Sequence, residues 1–366
     1  MSTCLRNKVV AVVWRKAIDL SPVLIPFLVI FAFLSHSGSA DAAAKSCEVL
    51  TIAPSGKIVD RPKSLPGSVL DKASPASNDD FAAVVEKISN GMRKGDAADL
   101  VSLFHPRLKM TSPVLANTLA ELRARYGDPV DIAPLKVMWL DTVDGDPAPI
   151  PCDFDGAILN PLYGYAQQAS LWLQATGQAD IARVMVGIVP VPASRGGGWK
   201  IGYFHVQQWT HAGKDPLAWI ESARAARDKK QLFGAWTQFD IAEKLLRSSG
   251  FASYAVQSGA ATERDAIMSR KDWLAKAGGH SGSLSGGPAF EDAVSLLAPG
   301  GAGVWMKLRL AKELSTVEIQ DHCKSVAKSL TQAKLSDGLS GVRCSYYLPR
   351  ESLAKDSATG GLFVPF

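Results

Sequence analysis

The pattern of hydrophobic and polar positions predicts two helices at the start of a domain that spans residues 79–211. Apolar residues recur at helical spacing over 81–92, and the pattern continues until Pro106 interrupts it. A second helix is expected from Pro113, a favourable first-turn residue, and Gly127 marks its end. The apolar stripe of this second helix consists of Val114, Leu115, Leu119 and Leu122.

The pattern then changes to the period of two that is typical of strands. Strands are predicted over residues 135–143, 165–175, 181–191 and 199–210. The third of these is nearly all apolar, as expected of a strand that is covered on both faces. A glycine-rich turn at 194–198 joins the last two, which are predicted to form a long antiparallel hairpin.

Helical periodicity returns after the hairpin. Asp215 and Pro216 suit the N-cap and first position of a helix, and a second helix is expected over 232–246. A third helix is predicted over 262–277, capped by Thr262. The region 212–277 is therefore expected to be helical throughout.

The remaining chain predicts a small α/β unit behind a flexible Gly/Ser linker at 278–288. A helix is expected over 289–297, then a strand over 303–310, a helix over 316–333 and a strand over 342–348. The last three elements form a β-α-β unit. The expected segments are a leader (1–42), a Pro/Ser-rich linker (43–78), two domains (79–211 and 212–277), the Gly/Ser linker (278–288) and the C-terminal unit (289–366).

The first 42 residues have the layout of a secretory signal peptide. A basic start precedes an apolar run at 23–34, and small residues that fit an A-x-A cleavage pattern follow. The run has about 12 residues, whereas a membrane-spanning helix needs about 20. We expect export to the periplasm or the extracellular space, with no stable transmembrane helix after cleavage. The alternatives are an uncleaved anchor in the inner membrane and a buried core helix.

Composition and charge narrow the function classes. Without residues 1–42 the chain loses four of 40 basic and two of 35 acidic residues, which leaves a formal net charge of +3. No stripe of Lys and Arg is visible, so nucleic acid is not an expected partner. The sequence has no phosphate loop, no H-E-x-x-H, no C-x-x-C and no dinucleotide fingerprint, and no cofactor is expected.

Four of the five cysteines remain after cleavage of the leader, and they allow three pairings. We favour Cys323–Cys344, because the two residues are expected on adjacent elements of one small unit. Cys47 would then tie the N-terminal segment to Cys152. Free buried thiols are the alternative. Lipidation of Cys47 is disfavoured, because Lys45 interrupts the small, apolar run that such a site needs.

The strand over 199–210 carries the candidate ligand-binding residues. A period of two places Trp199, Ile201, Tyr203, His205, Gln207 and Trp209 on one face. Aromatic and polar groups on a concave face suit a small-molecule pocket, with His205 as the candidate for acid–base catalysis. The simpler interpretation is a strand whose aromatic residues pack on the following helices, and packing is the favoured of the three.

Two further clusters are weak metal candidates. Carboxylates crowd one loop-rich segment, where they suggest a calcium site, but the glutamate that closes a calcium loop is absent and a solvated acidic loop is favoured. His322 with Cys323 and Cys344 suggests a metal site, which cysteine oxidation would remove. The candidate calcium ligands are Asp144, Asp146, Asp153 and Asp155, close to Asp141.

Two segments resemble known families. The helix opening FAAVVEKISNGMRKGDAADLVSLFHP and the closing hairpin ARVMVGIVPVPASRGGGWKIGYFHVQ resemble the NTF2-like cone fold, in which a curved antiparallel sheet wraps around N-terminal helices. In pocketed members, His, Tyr or Asp on such strands serve acid–base chemistry. Residues 219–246 resemble a single tetratricopeptide unit, although Lys230 and Arg247 depart from its pattern.

The whole chain looks like uncharacterised secreted bacterial proteins that place such a helical hairpin after an NTF2-like domain. We expect an α+β protein with a cone domain, a helical hairpin and a β-α-β unit. The expected function is non-enzymatic binding of a small molecule or an envelope protein. The alternative is a small-molecule isomerase or hydrolase that uses His205 with an Asp.

Overall fold

A computed structural model describes most of the chain beyond the leader. The described residues are 45–60, 78–127, 131–142, 146–178, 180–192, 197–247, 250–268, 292–310, 313–348 and 361–366. The expected signal peptide, the Gly/Ser linker at 278–288 and Asp144 lie outside these residues. The protein is of the mixed α+β class.

In chain order, the helices and strands alternate in three groups. They are β1 (Ser46–Leu50), α1 (Asn78–Lys94), α2 (Ala97–Val101), α3 (Ser112–Tyr126), β2 (Asp131–Asp141), β3 (Ile150–Pro151), β4 (Ala157–Leu159), β5 (Gln167–Thr176), β6 (Ile181–Pro190), β7 (Trp199–Gln208), α4 (Pro216–Asp228), α5 (Leu232–Leu246), β8 (Ala252–Tyr254), α6 (Ala255–Met268), β9 (Asp292–Ala298), β10 (Gly301–Arg309), α7 (Thr316–Gln332), β11 (Gly341–Tyr347) and β12 (Gly361–Pro365).

A five-stranded antiparallel sheet lies at the centre, in the order β1-β2-β5-β6-β7. The four strands predicted in this region are confirmed, and β6 and β7 form the expected hairpin. The prediction that residues 43–78 are wholly a linker is wrong at its start. Leu50 is buried and Ser46–Leu50 pairs along β2, because the alternating residues of this short segment complete the sheet edge.

Helices α1–α3 cover one face of this sheet. The predicted stripe of α1 is buried, and Phe81 packs against Trp139 and Trp199 at ring distances of 5.2 and 5.0 Å. These side chains share one apolar cluster with the buried residues of α3. The cluster fixes the helices on the sheet through aliphatic and aromatic burial.

Helices α4–α6 and strand β8 cover the opposite face. The hairpin of α4 and α5 is confirmed, and Asp215 caps α4 by accepting a hydrogen bond from the Ala218 amide at 2.8 Å. The predicted start of the third helix at Thr262 is wrong. α6 already begins at Ala255, and the Thr262 hydroxyl donates to the Ser258 carbonyl inside the helix. Of the predicted extension, residues 269–277 lie outside the described residues.

The C-terminal unit is a four-stranded sheet in the order β12-β11-β10-β9, with α7 as crossover. β10 and β11 are parallel, so the β-α-β unit is confirmed. The helix predicted over 289–297 is wrong, because this segment forms β9 and pairs antiparallel with β10. Pro299 and Gly300, the latter at φ +77°, make the tight turn that allows the pairing.

Two disulfides join the cysteines in the favoured pairing, Cys47–Cys152 and Cys323–Cys344. The alternatives of free thiols, of a lipidated Cys47 and of a metal site that includes Cys323 are therefore wrong. The two bonds are consistent with an exported protein. Within the described ranges, no helix has both the length and the apolar character needed to cross a membrane.

Candidate functional site

A bulge in β7 divides the predicted site residues between two faces of the sheet. Ile188 pairs with Ile201, whereas its neighbour Gly187 pairs with Tyr203, so Gly202 is an extra residue. Trp199 and Ile201 therefore lie in the cluster beneath α1–α3, and Tyr203 lies in the cluster on the opposite side. The prediction that all six residues share one face is wrong, because an extra residue reverses the alternation of the side chains.

The residues beyond the bulge are covered by protein. The Tyr203 ring stacks on Phe251 at 4.0 Å, and its hydroxyl lies 2.6 Å from the Ser170 hydroxyl. Burial raises the pKa of Tyr203 to about 12, so this phenol stays neutral. Gln207 donates to the Leu245 carbonyl of α5.

Trp209 is also in contact with protein. Its ring lies 3.2 Å from the Arg183 guanidinium, which is held by Asp155 at 2.5 Å. These contacts fill the face on which the pocket was expected.

His205 lies on the same face, opposite Met185. It is half-buried, and this burial lowers the pKa of the imidazole below its ordinary value. Within the described part of the chain, no carboxylate forms an ion pair or a hydrogen bond with it. The acid partner that catalysis would require is therefore not in place there.

The acidic loop is used for ion pairing. Asp146 pairs with Lys45, and Asp155 pairs with the buried Arg183. Asp153 is exposed. Across the described ranges, no group of three or more His, Cys, Asp or Glu side chains is placed to hold a metal ion. The carboxylates thus turn to cations of the protein instead of converging on one point.

A groove that the sequence did not indicate lies between the helical hairpin and the C-terminal sheet. It encloses about 480 Å³, within the range of about 300–1,000 Å³ that is usual for small-molecule sites. One wall comes from α4 and α5, and the other from the β9–β10 turn and the α7–β11 loop. Its lining includes Lys214, Trp219, Ser222, Ala225, Lys229, Gln231, Gln238, Gly301, Gly338, Leu339 and Ser340.

Buried polar contacts hold the two walls together. His211 Nε2 lies 2.8 Å from the Gly301 carbonyl, and because a carbonyl can only accept, the Nε2–H tautomer is required. Gln238 Nε2 donates to the Gly338 carbonyl at 3.3 Å. The Lys214 ammonium lies 4.9 Å from the centre of the Trp219 ring, a cation–π contact. The groove is thus a built feature of the fold.

Two buried polar atoms on the groove walls have no hydrogen-bond partner. They are Trp219 Nε1, on a side chain that is 3% exposed, and Gln238 Oε1, on a side chain that is 5% exposed. The Gln238 amide cannot be reversed, because its oxygen would then face the Gly338 carbonyl. Buried polar groups are normally paired, and each missing bond costs about 1–3 kcal/mol. These atoms offer one free donor and one free acceptor.

The groove is positively charged. Lys214 and Lys229 line it, and no carboxylate does. Among the described residues, neither lysine forms an ion pair with a carboxylate, and the Lys214 ammonium donates to the Ser222 hydroxyl at 3.1 Å.

The nearest acidic side chains in the sequence are otherwise engaged. Asp215 caps α4, Asp228 pairs with Arg227 at 3.4 Å, and Asp337 accepts from Gln231 at 3.4 Å. The two lysines therefore keep their charge available to a ligand.

Sequence analysis placed Trp219 on the buried face of a helix but gave no sign of the groove. Gln238 and Gly338 are 100 residues apart, and only the packing of the two units brings them together. Comparisons with known proteins gave no matching family model, no matching curated protein and no matching solved structure.

Proposed function

We propose that this protein is an exported, non-enzymatic binding module of the cell envelope, and that it binds its ligand in the groove beside Trp219. The observation that carries the proposal is the pair of unpartnered buried atoms on an accessible groove, Trp219 Nε1 and Gln238 Oε1. A ligand that supplies their missing partners would regain about 1–3 kcal/mol for each atom. This gives the groove a reason to be occupied that the rest of the surface lacks.

The proposed fold assignment is an NTF2-like cone for residues 79–211, followed by a tetratricopeptide-like hairpin of α4 and α5. Support comes from the order of elements, with α1–α3 ahead of the antiparallel strands and packed on one face of their sheet. The hairpin covers the other face, where pocketed members of the family keep their pocket. Binding is therefore assigned to the far side of the hairpin.

The exported location of the proposal, periplasmic or extracellular, rests on the leader and on the two disulfides. An isomerase or hydrolase would need a deep, water-poor pocket with His205 beside a carboxylate. The described residues around His205 offer neither feature, so the geometry gives this alternative no support.

The groove can be tested by blocking it. Ala225 is an exposed lining residue of α4, and Ala225→Trp would fill the groove without touching the core. Leu217, 53% exposed on the same helix and outside the lining, gives the matched control Leu217→Trp. Ligand-observed NMR with a fragment library should detect binders of the wild type and of Leu217→Trp that Ala225→Trp no longer binds. An absence of binders to the wild type, or the same binders on Ala225→Trp, would reject the proposal.

A further inference from the structure

We propose that the groove selects a small organic anion that also carries hydroxyl groups, such as a sugar acid or a sugar phosphate. This inference rests on the proposed function and names the ligand class of the same site. It follows from the juxtaposition of two lysines, one free N–H donor and one free carbonyl acceptor in a groove of about 480 Å³.

The charge of the lining requires an anion. Lys214 and Lys229 have no carboxylate partner among the described residues, and the lining itself contains none. A neutral ligand would cover these ammonium groups without replacing the water that it displaces, which is costly. An anion pairs with them, and charge-assisted hydrogen bonds of this kind are about twice as strong as neutral ones.

The indole N–H of Trp219 favours the same charge. It is a donor only, so the ligand atom that meets it must be an acceptor, such as a carboxylate or phosphate oxygen. Trp219 and Lys214 contact each other at 4.9 Å, so both can approach one anionic group. The Ser222 hydroxyl, already bonded to Lys214, lies on the same side.

Gln238 adds the requirement for a hydroxyl. Its Oε1 is an acceptor and faces no donor of the protein, because its amide nitrogen is fixed on the Gly338 carbonyl. A simple carboxylate or an inorganic anion offers no donor and would leave this oxygen unpaired. A hydroxylated anion satisfies both Gln238 and the lysines, and this combination is the selectivity that we infer.

Titration calorimetry on the mature, disulfide-bonded protein tests the charge. The probes are gluconate, glucuronate and glucose 6-phosphate, with sorbitol and glucose as neutral counterparts and butyrate as an anion without hydroxyls. We expect at least one hydroxylated anion to bind at least about tenfold more tightly than its neutral counterpart and than butyrate. The double variant Lys214→Gln/Lys229→Gln should lose the preference for charge, whereas Lys328→Gln, an exposed lysine of α7 outside the lining, should keep it.

Gln238→Met separates the second requirement from the first. It keeps the length of the side chain and removes the acceptor, so the preference for hydroxylated anions over butyrate should fall about tenfold while the preference for charge remains. The lysine variants are at the surface and keep the test open if Gln238→Met does not fold.

The outcomes distinguish this inference from the proposed function. Fragments that Ala225→Trp excludes, together with hydroxylated anions that bind no better than sorbitol or glucose, would keep the binding function and overturn the ligand class. Binding of gluconate that survives both Ala225→Trp and the lysine double variant would overturn both, because the anion would then bind elsewhere. Separate carboxylate and phosphate probes show which anionic group the groove prefers.

Discussion

At the scale of single residues, Gly187 decides which way the end of β7 faces. It lies opposite Tyr203 across the bulge, and a methyl group at Gly187 would come within 2.1 Å of two Tyr203 ring carbons. The ring has no room to retreat, because Phe251 stacks on it at 4.0 Å and Ser170 binds its hydroxyl. Only glycine fits this position.

We therefore expect Gly187→Ala to destabilise the protein by about 1–3 kcal/mol or more, since it overpacks a closed core. Urea unfolding followed by fluorescence measures the effect. Gly259→Ala is the control, because Gly259 is exposed in α6 with no atom within 4 Å of the new methyl group. This control should gain up to about 1 kcal/mol in stability from helix propensity. Equal effects of the two substitutions would contradict the role of Gly187.

A second residue, His322, makes the stability depend on pH. Its ring packs 5.5 Å from Tyr346, its Nδ1 is buried without a partner, and burial lowers the pKa of the imidazole below 6.5. Above pH 6.5 both the folded and the unfolded chain keep this histidine neutral. As the pH falls below 6.5, the unfolded chain takes up the proton first, so the free energy of unfolding decreases.

His322→Gln should therefore lose part of the destabilisation that the wild type undergoes between pH 7 and about pH 5. Thermal or urea unfolding at several pH values measures this difference. Lys324→Gln changes an exposed cation on the same helix, at 63% side-chain exposure, and should follow the wild-type pH dependence. A His322→Gln profile that is parallel to the wild type would show that the buried imidazole does not titrate on unfolding.

The candidate site could be predicted only in part from single residues. Period-two reasoning identified Tyr203 and Gln207 as inward-facing, but it assumed an unbroken strand, and no local sequence signal marks Gly202 as an extra residue. The groove depends on Gln238 and Gly338, which only tertiary packing brings together. Local patterns carry the periodicity of an element, whereas a groove is a property of two elements that are distant in sequence.

At the scale of elements, prediction succeeded where periodicity was strong and failed where pairing decided. The strands β5 and β6 and the helix α1 have long, regular patterns, and the structure matches them. β9 is short and was predicted as a helix, because its pattern is weak. Its hydrogen bonds to β10 settle its conformation, and such long-range pairing overrides local propensity.

Asp240 joins three elements around α5. Its carboxylate lies 3.0 Å from Arg264 of α6 and 3.1 Å from Lys244, and it also accepts from the Ser295 hydroxyl of β9. Burial alone would raise the pKa of Asp240, but the Ser295 hydrogen bond and the two cations outweigh burial and hold the pKa below 3.8. The carboxylate is therefore ionised at neutral pH, and it links the hairpin to both its neighbours.

Asp240→Asn should cost about 1–3 kcal/mol in the free energy of unfolding, because it weakens several charge-assisted hydrogen bonds at once. Asp265→Asn is the matched control, since Asp265 contacts the same Arg264 at 2.9 Å but is 66% exposed. This exposed pair should contribute less than about 1 kcal/mol. Urea unfolding of both variants makes the comparison. A loss at Asp265 as large as that at Asp240 would contradict the assignment of Asp240 as the centre of the network.

At the scale of the whole molecule, the two disulfides fasten the ends of the described chain. Cys47–Cys152 closes a loop of 105 residues and holds β1 near β3, whereas Cys323–Cys344 closes 21 residues inside the C-terminal unit. In the loop-entropy account, closing about 100 residues stabilises by about 4.7 kcal/mol and closing about 15 by about 3 kcal/mol. Both bonds need an oxidising compartment to form, so stability and export are linked.

Export and oxidation predict a definite mass for the protein recovered from its compartment. We expect an intact mass that corresponds to cleavage near residue 42 or 44, with no cysteine alkylated before reduction and four alkylated after it. Free thiols would destabilise the protein and leave the β1 edge held only by hydrogen bonds to β2. Retention of the leader with both disulfides formed would indicate an anchored protein with the same fold. Four free thiols would contradict the oxidising location on which the binding proposal rests.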